Sequence, residues 1–208
     1  MQDGKLILLR HGQSTWNAEK RFTGWQDVPL TDKGKEDARL VGIQLNKYTI
    51  DTVFTSTLTR AIETGDIVMS QLDSKNIPVI RNSALNERCY GLLEGRTHAE
   101  VIAETSEKQV HKWRRSFKEC PPDGESLSDT YGRVIPYFVE HIVPLFAERK
   151  TVLVVAHGNS LRAILIYLNN FNEEQVEQLT VPTATPIVYD VPPPPPPSLI
   201  NERYAKYL

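Results

Sequence analysis

Two histidine–glycine pairs each directly follow a short apolar run. Lys5-Leu-Ile-Leu-Leu9 leads into Arg10-His11-Gly12, and Thr151-Val-Leu-Val-Val-Ala156 leads into His157-Gly158-Asn159. A lone histidine after a strand is more often structural than reactive, but here two occupy corresponding positions and one follows an arginine. A neutral imidazole beside arginines is a nucleophile suited to a phosphoryl group. Arginine's planar fork matches phosphate or carboxylate, and its charge resists protonation of a neighbouring imidazole. Gly12 lets the backbone approach a ligand closely.

Phosphoryl transfer depends mainly on positioning and on positive charge around the equatorial oxygens. Arg10, Arg60, Arg88, Arg114 and Arg115 are the candidate cations. Adjacent arginines such as Arg114 and Arg115 are usually a solvated helix face. Glu87 is either a surface ion-pair partner or a general acid/base, and spacing alone leaves both readings open.

Such a set needs elements that bring it together. Lys5–Leu9, Thr52–Thr55 and Thr151–Ala156 read as strands, with Ile77–Ile80 as an edge strand, since Pro78 cannot donate to a ladder. Ile187–Tyr189 reads as a last strand. Thr31 caps a helix running to about Tyr48, and Leu58 to Leu72 carry the three-and-four spacing of an amphipathic helix. Short helices are predicted near 98–104 and 107–117. Leu127, Tyr131, Val134, Phe138 and Leu145 mark a long helix that Pro136 should kink or split. Leu161, Ile164, Leu165 and Leu168 mark the last. Alternating strands and helices predict an α/β fold, three layers α/β/α around a mostly parallel central sheet. Ligands in such folds bind beyond the carboxyl ends of the strands, where both histidines and Arg60 fall. One such domain over residues 1–191 is expected, with a small cap around 82–125 and a tail at 192–208.

The 208 residues carry 24 basic and 26 acidic side chains, a net charge of −2, which argues against a nucleic-acid or membrane-surface binder. Hydrophobic content of 40% is that of a globular chain, and no apolar run reaches the ~20 residues that span a bilayer. The N-terminus enters a strand at once, so no secretory signal is expected. Cys89 and Cys120 form no CxxC pair, which removes a disulfide framework or cysteine-rich zinc site as organiser and makes a cytosolic setting the default. Pro192–Pro197 predicts an exposed polyproline II segment, either a stiff connection or a weak ligand for an SH3- or WW-type groove.

Leu9-Arg-His-Gly-Gln-Ser-Thr-Trp-Asn17 resembles the RHG signature of the histidine phosphatase superfamily. Arg21-Phe-Thr-Gly-Trp25, Leu85-Asn-Glu-Arg-Cys-Tyr-Gly91, Trp113-Arg-Arg115 and Ala156-His-Gly-Asn-Ser-Leu-Arg162 together resemble its cofactor-dependent phosphoglycerate mutase branch, in order, from about Lys5 to Tyr189. The resemblance implies a phosphoglycerate mutase-like fold and a cycle between 3-phosphoglycerate and 2-phosphoglycerate, primed by 2,3-bisphosphoglycerate and needing no metal. It implies that His11 carries the phosphoryl group, that His157, Arg10 and Arg60 hold its oxygens, and that Glu87 moves protons. Ser14, Asn17, Thr23, Gly24, Arg88, Tyr90, His98, Arg114, Arg115, Gly158 and Asn159 would bind substrate. Glycolysis and gluconeogenesis, in the cytoplasm, are the implied setting.

Several features depart from that branch. Gln13 stands where glutamate is frequent, and His98 where many members have a lysine, which would weaken a phosphate contact or make it pH-dependent. The direct Pro121–Leu127 connection lacks a loop of longer members, so a monomer or dimer is expected. The ending at Leu208, without their longer tail, implies some phosphatase side activity. The competing expectations are a phosphatase of the same superfamily, and a non-catalytic scaffold using the proline run.

Overall fold

The computed structural model describes residues 4–190, and the proline run Pro192–Pro197 lies outside them. The elements in chain order are β1 (Lys5–Arg10), α1 (Thr15–Ala18), α2 (Asp32–Leu45), β2 (Thr52–Thr55), α3 (Thr59–Ser70), β3 (Val79–Arg81), α4 (His98–Glu104), α5 (Glu107–Arg115), α6 (Leu127–Tyr137), α7 (Val143–Ala147), β4 (Val152–Ala156), α8 (Gly158–Asn169), α9 (Glu173–Gln178) and β5 (Ile187–Asp190). The strands form one sheet in the order β3-β2-β4-β1-β5. All neighbours pair in parallel except β5, which runs antiparallel to β1.

Side chains alternate across a strand, so a strand buried on both faces serves two cores. Leu6 and Leu8 of β1 join Val152 and Val154 of β4 in a cluster with Tyr131 and Val134 of α6 and Leu161 and Ile164 of α8. Ile7 and Leu9 join Leu153 and Val155 in a second cluster with Val41 and Leu45 of α2 and Ala61 and Val68 of α3. Helices therefore cover both faces of the sheet, giving the three-layer α/β/α arrangement expected. No helix among the described residues is long and apolar enough to cross a membrane.

Two local expectations need revision, and the long helix is split as expected, though just past Pro136 rather than at it. Helix α2 stops at Leu45 rather than near Tyr48. Helix α6 continues through Pro136 to Tyr137. The chain loosens just beyond, in a π-turn over Phe138–Ile142 where the Val143 N–H donates to Phe138, five residues back. Pro144 then sits in the first turn of α7, where a missing N–H costs no helical hydrogen bond. The cap also draws on more than 82–125. Phe22 packs with Tyr90, Leu93, Val101 and Val110 in a third small cluster. Backbone bonds tie the segment after β1 to it, from Phe22 N to Arg96 O and from Gly95 N to Phe22 O, both at 2.9 Å.

Candidate active site

The sheet register brings the two histidines together. Arg10 pairs with Ala156 in the β1–β4 ladder, and His11 N donates to Ala156 O at 3.0 Å. The next residues, His11 and His157, leave the sheet side by side with ring centroids 5.0 Å apart. Both are buried. Ser56, the residue after β2, reaches His157 Nε2 with its hydroxyl at 2.7 Å, and His157 N donates to Ser160 Oγ at 3.1 Å.

His11 Nδ1 lies 2.7 Å from Gly12 O. A carbonyl only accepts, so this contact places the proton on Nδ1 and leaves the Nε2 lone pair free. Burial holds His11 well below the ordinary imidazole range, and Arg60 and Arg10 push it further down against the Gly12 hydrogen bond. His157 is held down likewise, first by burial and then by Arg60. Both rings are thus neutral near pH 7. Gly12 packs against α2. A Cβ there would lie 2.4 Å from Gly34 O of α2, and one on Gly34 would lie 2.1 Å from Gln13 O. Gly12 thus lets the His11 loop seat on α2.

These groups open into a cavity of about 510 Å³ lined, among the described residues, by seven lysines or arginines and a single carboxylate, Glu87. Two guanidiniums flank His11. Arg60 Nη1 and Nη2 donate to Gln26 O and Gly24 O, each at 2.8 Å, and Arg10 Nη1 donates to Val181 O at 2.8 Å. The buried Nε atoms of both lack a protein partner, as does Thr23 Oγ1. Unpaired buried donors are costly, so this cluster suits an anion. Burial, above all, lowers Arg60 to about 10, still charged at neutral pH. Gly24 is favoured here: it sits at φ 54°, and a Cβ would displace the Glu94 carboxylate, whose Oε1 lies 1.8 Å from that position. Glu87 Oε1 accepts from Arg88 N at 2.8 Å and Asn159 N at 3.0 Å. Its Oε2 is turned toward Gly158 and Arg10.

Of the residues expected from sequence, Arg10, His11, Asn17, Thr23, Gly24, Arg60, Glu87, Tyr90, His98, Arg114, Arg115, Gly158 and Asn159 line this cavity. His157 lies immediately behind His11. Ser14 and Arg88 are not brought to the cavity surface. Ser14 is fully buried and caps α1, its Oγ accepting from Asn17 N at 3.2 Å. Arg88 is also fully buried, donating to Tyr90 Oη at 2.8 Å and to Arg114 O at 3.2 Å. In this structure both support the residues that face inward.

Sequence reading missed Lys20, Arg21, Arg162, Leu179, Thr180, Val181 and Thr183, which also line the cavity. Arg162 donates to Asn159 Oδ1 at 2.9 Å, Arg115 O at 2.9 Å and Val176 O at 2.6 Å. It thereby holds the carboxyl end of α5, where Arg114 and Arg115 sit. Burial lowers Arg162 to about 10. Its place in the Ala156–Arg162 motif was the available signal. His98 is packed edge-on to Phe22 at 4.6 Å. Burial, then Arg114 and Lys20, lower it to about 4, so pH sensitivity near 6.5 is not its property in the free protein.

Comparison with known proteins now adds a family. The model of the histidine phosphatase superfamily (branch 1) matches residues 6–192. A 2,3-bisphosphoglycerate-dependent phosphoglycerate mutase 2 of Gloeobacter violaceus is 47% identical over 89% of this chain and 84% of its own length. The 2,3-bisphosphoglycerate-dependent phosphoglycerate mutase of Chlamydia abortus is 44% identical over 88% of this chain and 92% of its own. Among solved structures, a mycobacterial glucosyl-3-phosphoglycerate phosphatase superposes with a TM-score of 0.78 at 25% identity, covering 89% of this chain and 92% of that one.

Proposed function

The chain belongs to the histidine phosphatase superfamily, and we infer that it acts as a 2,3-bisphosphoglycerate-dependent phosphoglycerate mutase on 3-phosphoglycerate and 2-phosphoglycerate. The observation that carries the chemistry is the His11 ring. Its Nδ1–H is tied to Gly12 O, and it lies in a cavity with unpaired arginine donors on either side. The relatives' high identity over nearly the whole chain favours a mutase over the phosphatase found among the structural neighbours.

In this reading His11 Nε2 attacks phosphorus, an N–P bond forms, and the P–O bond to the glycerate oxygen breaks. Glu87 gives a proton to the departing oxygen. When the other hydroxyl attacks the phosphohistidine, Glu87 takes that hydroxyl's proton and the N–P bond breaks, so protons balance over the cycle. Arg10, Arg60 and His157 hold the transferring oxygens, where charge is worth most. The resting enzyme needs a phosphoryl donor, and 2,3-bisphosphoglycerate is the primer this reading calls for. A cavity of about 510 Å³ lies within the usual size for small ligands. Arg114 and Arg115 grip the remote anionic group, which keeps the intermediate from leaving while it reorients.

The reading sets the protein in glycolysis and gluconeogenesis in a reducing cytoplasm, compatible with two free cysteines. It assigns catalysis to one α/β unit over 1–191. Phosphorus NMR of 3-phosphoglycerate with purified protein tests it. A 2-phosphoglycerate signal that grows only with catalytic 2,3-bisphosphoglycerate is expected. Growth of inorganic phosphate instead would make the protein a phosphatase.

A further inference from the structure

Lys20 is a lysine that its own backbone does not favour. It follows α1 at φ 57°, in the left-handed region where glycine or asparagine avoids a steric penalty. The contacts that hold the segment come from main chain. Lys20 O accepts His98 N at 2.9 Å, and Arg21 bridges to Thr97. Neither contact needs a lysine side chain.

Electrostatics also run against it. Lys20, His98 and Arg114 line the cap side of the same cavity. Burial first, then the charge of Arg114 and last that of Lys20, keep His98 unprotonated. Among the described residues no carboxylate pairs with Lys20, whereas neighbouring Arg21 is held by Glu19 and by Gly95 O. Glu87, the only carboxylate among the described residues that line the cavity, is already engaged by two backbone N–H groups. The wall therefore carries positive charge that an arriving anion would neutralise. A lysine suits such a position because it is a mobile point charge on a long stem, while Arg114 and the packed His98 ring supply fixed donors.

We propose that Lys20 binds the phosphate of a bisphosphorylated ligand that lies remote from His11, together with Arg114 and neutral His98, and so sets the preference for doubly over singly phosphorylated ligands. This rests on the mutase reading above, and the test separates the two. Full-length protein carrying His11→Ala, to prevent turnover, is titrated calorimetrically with 2,3-bisphosphoglycerate and with glycerol 3-phosphate. Lys20→Asn and Lys20→Met are then added to it. We expect both to weaken bisphosphate binding about tenfold, as for loss of one charge-assisted contact at a solvated edge. Glycerol 3-phosphate binding should change less than twofold. Lys20→Asn should also melt at a higher temperature, because asparagine tolerates this backbone; a merely structural lysine would lose stability and both ligands together. Bisphosphate binding within twofold of the parent, or equal loss of both ligands, overturns the role of Lys20 alone. A parent that binds glycerol 3-phosphate but not bisphosphate overturns the mutase reading and this assignment together.

Discussion

The cavity has two unlike walls. Its floor is the carboxyl end of the sheet, where His11, His157 and Ser56 follow three hydrogen-bonded strands and are fully or almost fully buried. Its roof carries Lys20, His98, Arg114 and Arg115 on short segments over a small cluster of five buried side chains. The floor is held by two large cores, the roof by a few hydrogen bonds from buried arginines. Reacting groups on rigid elements keep their geometry, and groups on small satellite layers adapt to a ligand. Floor substitutions should therefore lower kcat, and roof substitutions should raise KM.

The largest effects belong to the reacting groups, His11 on the floor and Glu87 on the loop between Leu85 and Gly91. His11→Ala should lower turnover by about 10⁴-fold or more, since the nucleophile is gone. Glu87→Gln, which keeps shape and removes the proton carrier, should lower kcat by about 10²- to 10⁴-fold with a small change in KM. Steady-state kinetics of the two variants checks both, and a Glu87→Gln defect confined to KM would move Glu87 from chemistry to binding.

Arg162→Met probes the joint between the walls. It removes the donors that hold Arg115 O, Val176 O and Asn159 Oδ1. Loss of those bonds should cost about 2–3 kcal/mol in urea unfolding. KM should rise more than kcat falls, because Arg114 and Arg115 lose their anchor. An unchanged KM would mean that α5 holds its end without Arg162.

Smaller still is Gly12→Ala, which forces a methyl against Gly34 O. Overpacking of this kind costs about 1–3 kcal/mol, read as a lower denaturant midpoint. The same loop carries His11, so activity should fall with it.

The histidines also give a pH signature. His11 and His157 are held below the ordinary imidazole value, and His98 is lowered to about 4. Below about pH 6.5 the unfolded chain takes up protons at these positions that the folded chain refuses. Their contribution to stability is thus full above that pH and is lost as pH falls. Melting temperature should decline from pH 7 toward 5, and His98→Phe should flatten part of that decline. A decline unchanged in His98→Phe would remove His98 from the effect.

Much of the floor was legible because strand ends declare themselves. A continuous apolar run followed by His-Gly places the imidazole at the sheet's carboxyl edge, and parallel register does the rest. The roof was less so. Spacing cannot tell that Arg88 turns inward to brace Arg114 O while Arg114 faces the cavity, because that choice is made by packing between 3₁₀ turns and α5. Ser14 Oγ accepts Asn17 N as a helix cap, and sequence alone does not separate that from a hydroxyl donating to a phosphate. Lys20 and Thr180 reach the site through tertiary contacts that no local pattern announces. The long helix is split as Pro136 led us to expect, but just past it: α6 runs through Pro136 to Tyr137, the chain slips into a π-turn over Phe138–Ile142, and α7 starts at Val143.

The most direct test of the central claim is to expose the protein to 2,3-bisphosphoglycerate, quench it and map the phosphorylated residue. An acid-labile phosphoryl group on His11, absent from His11→Ala and discharged by 3-phosphoglycerate into bisphosphate, is the predicted result. A stable phosphoryl group on another residue, or discharge to water alone, would contradict it.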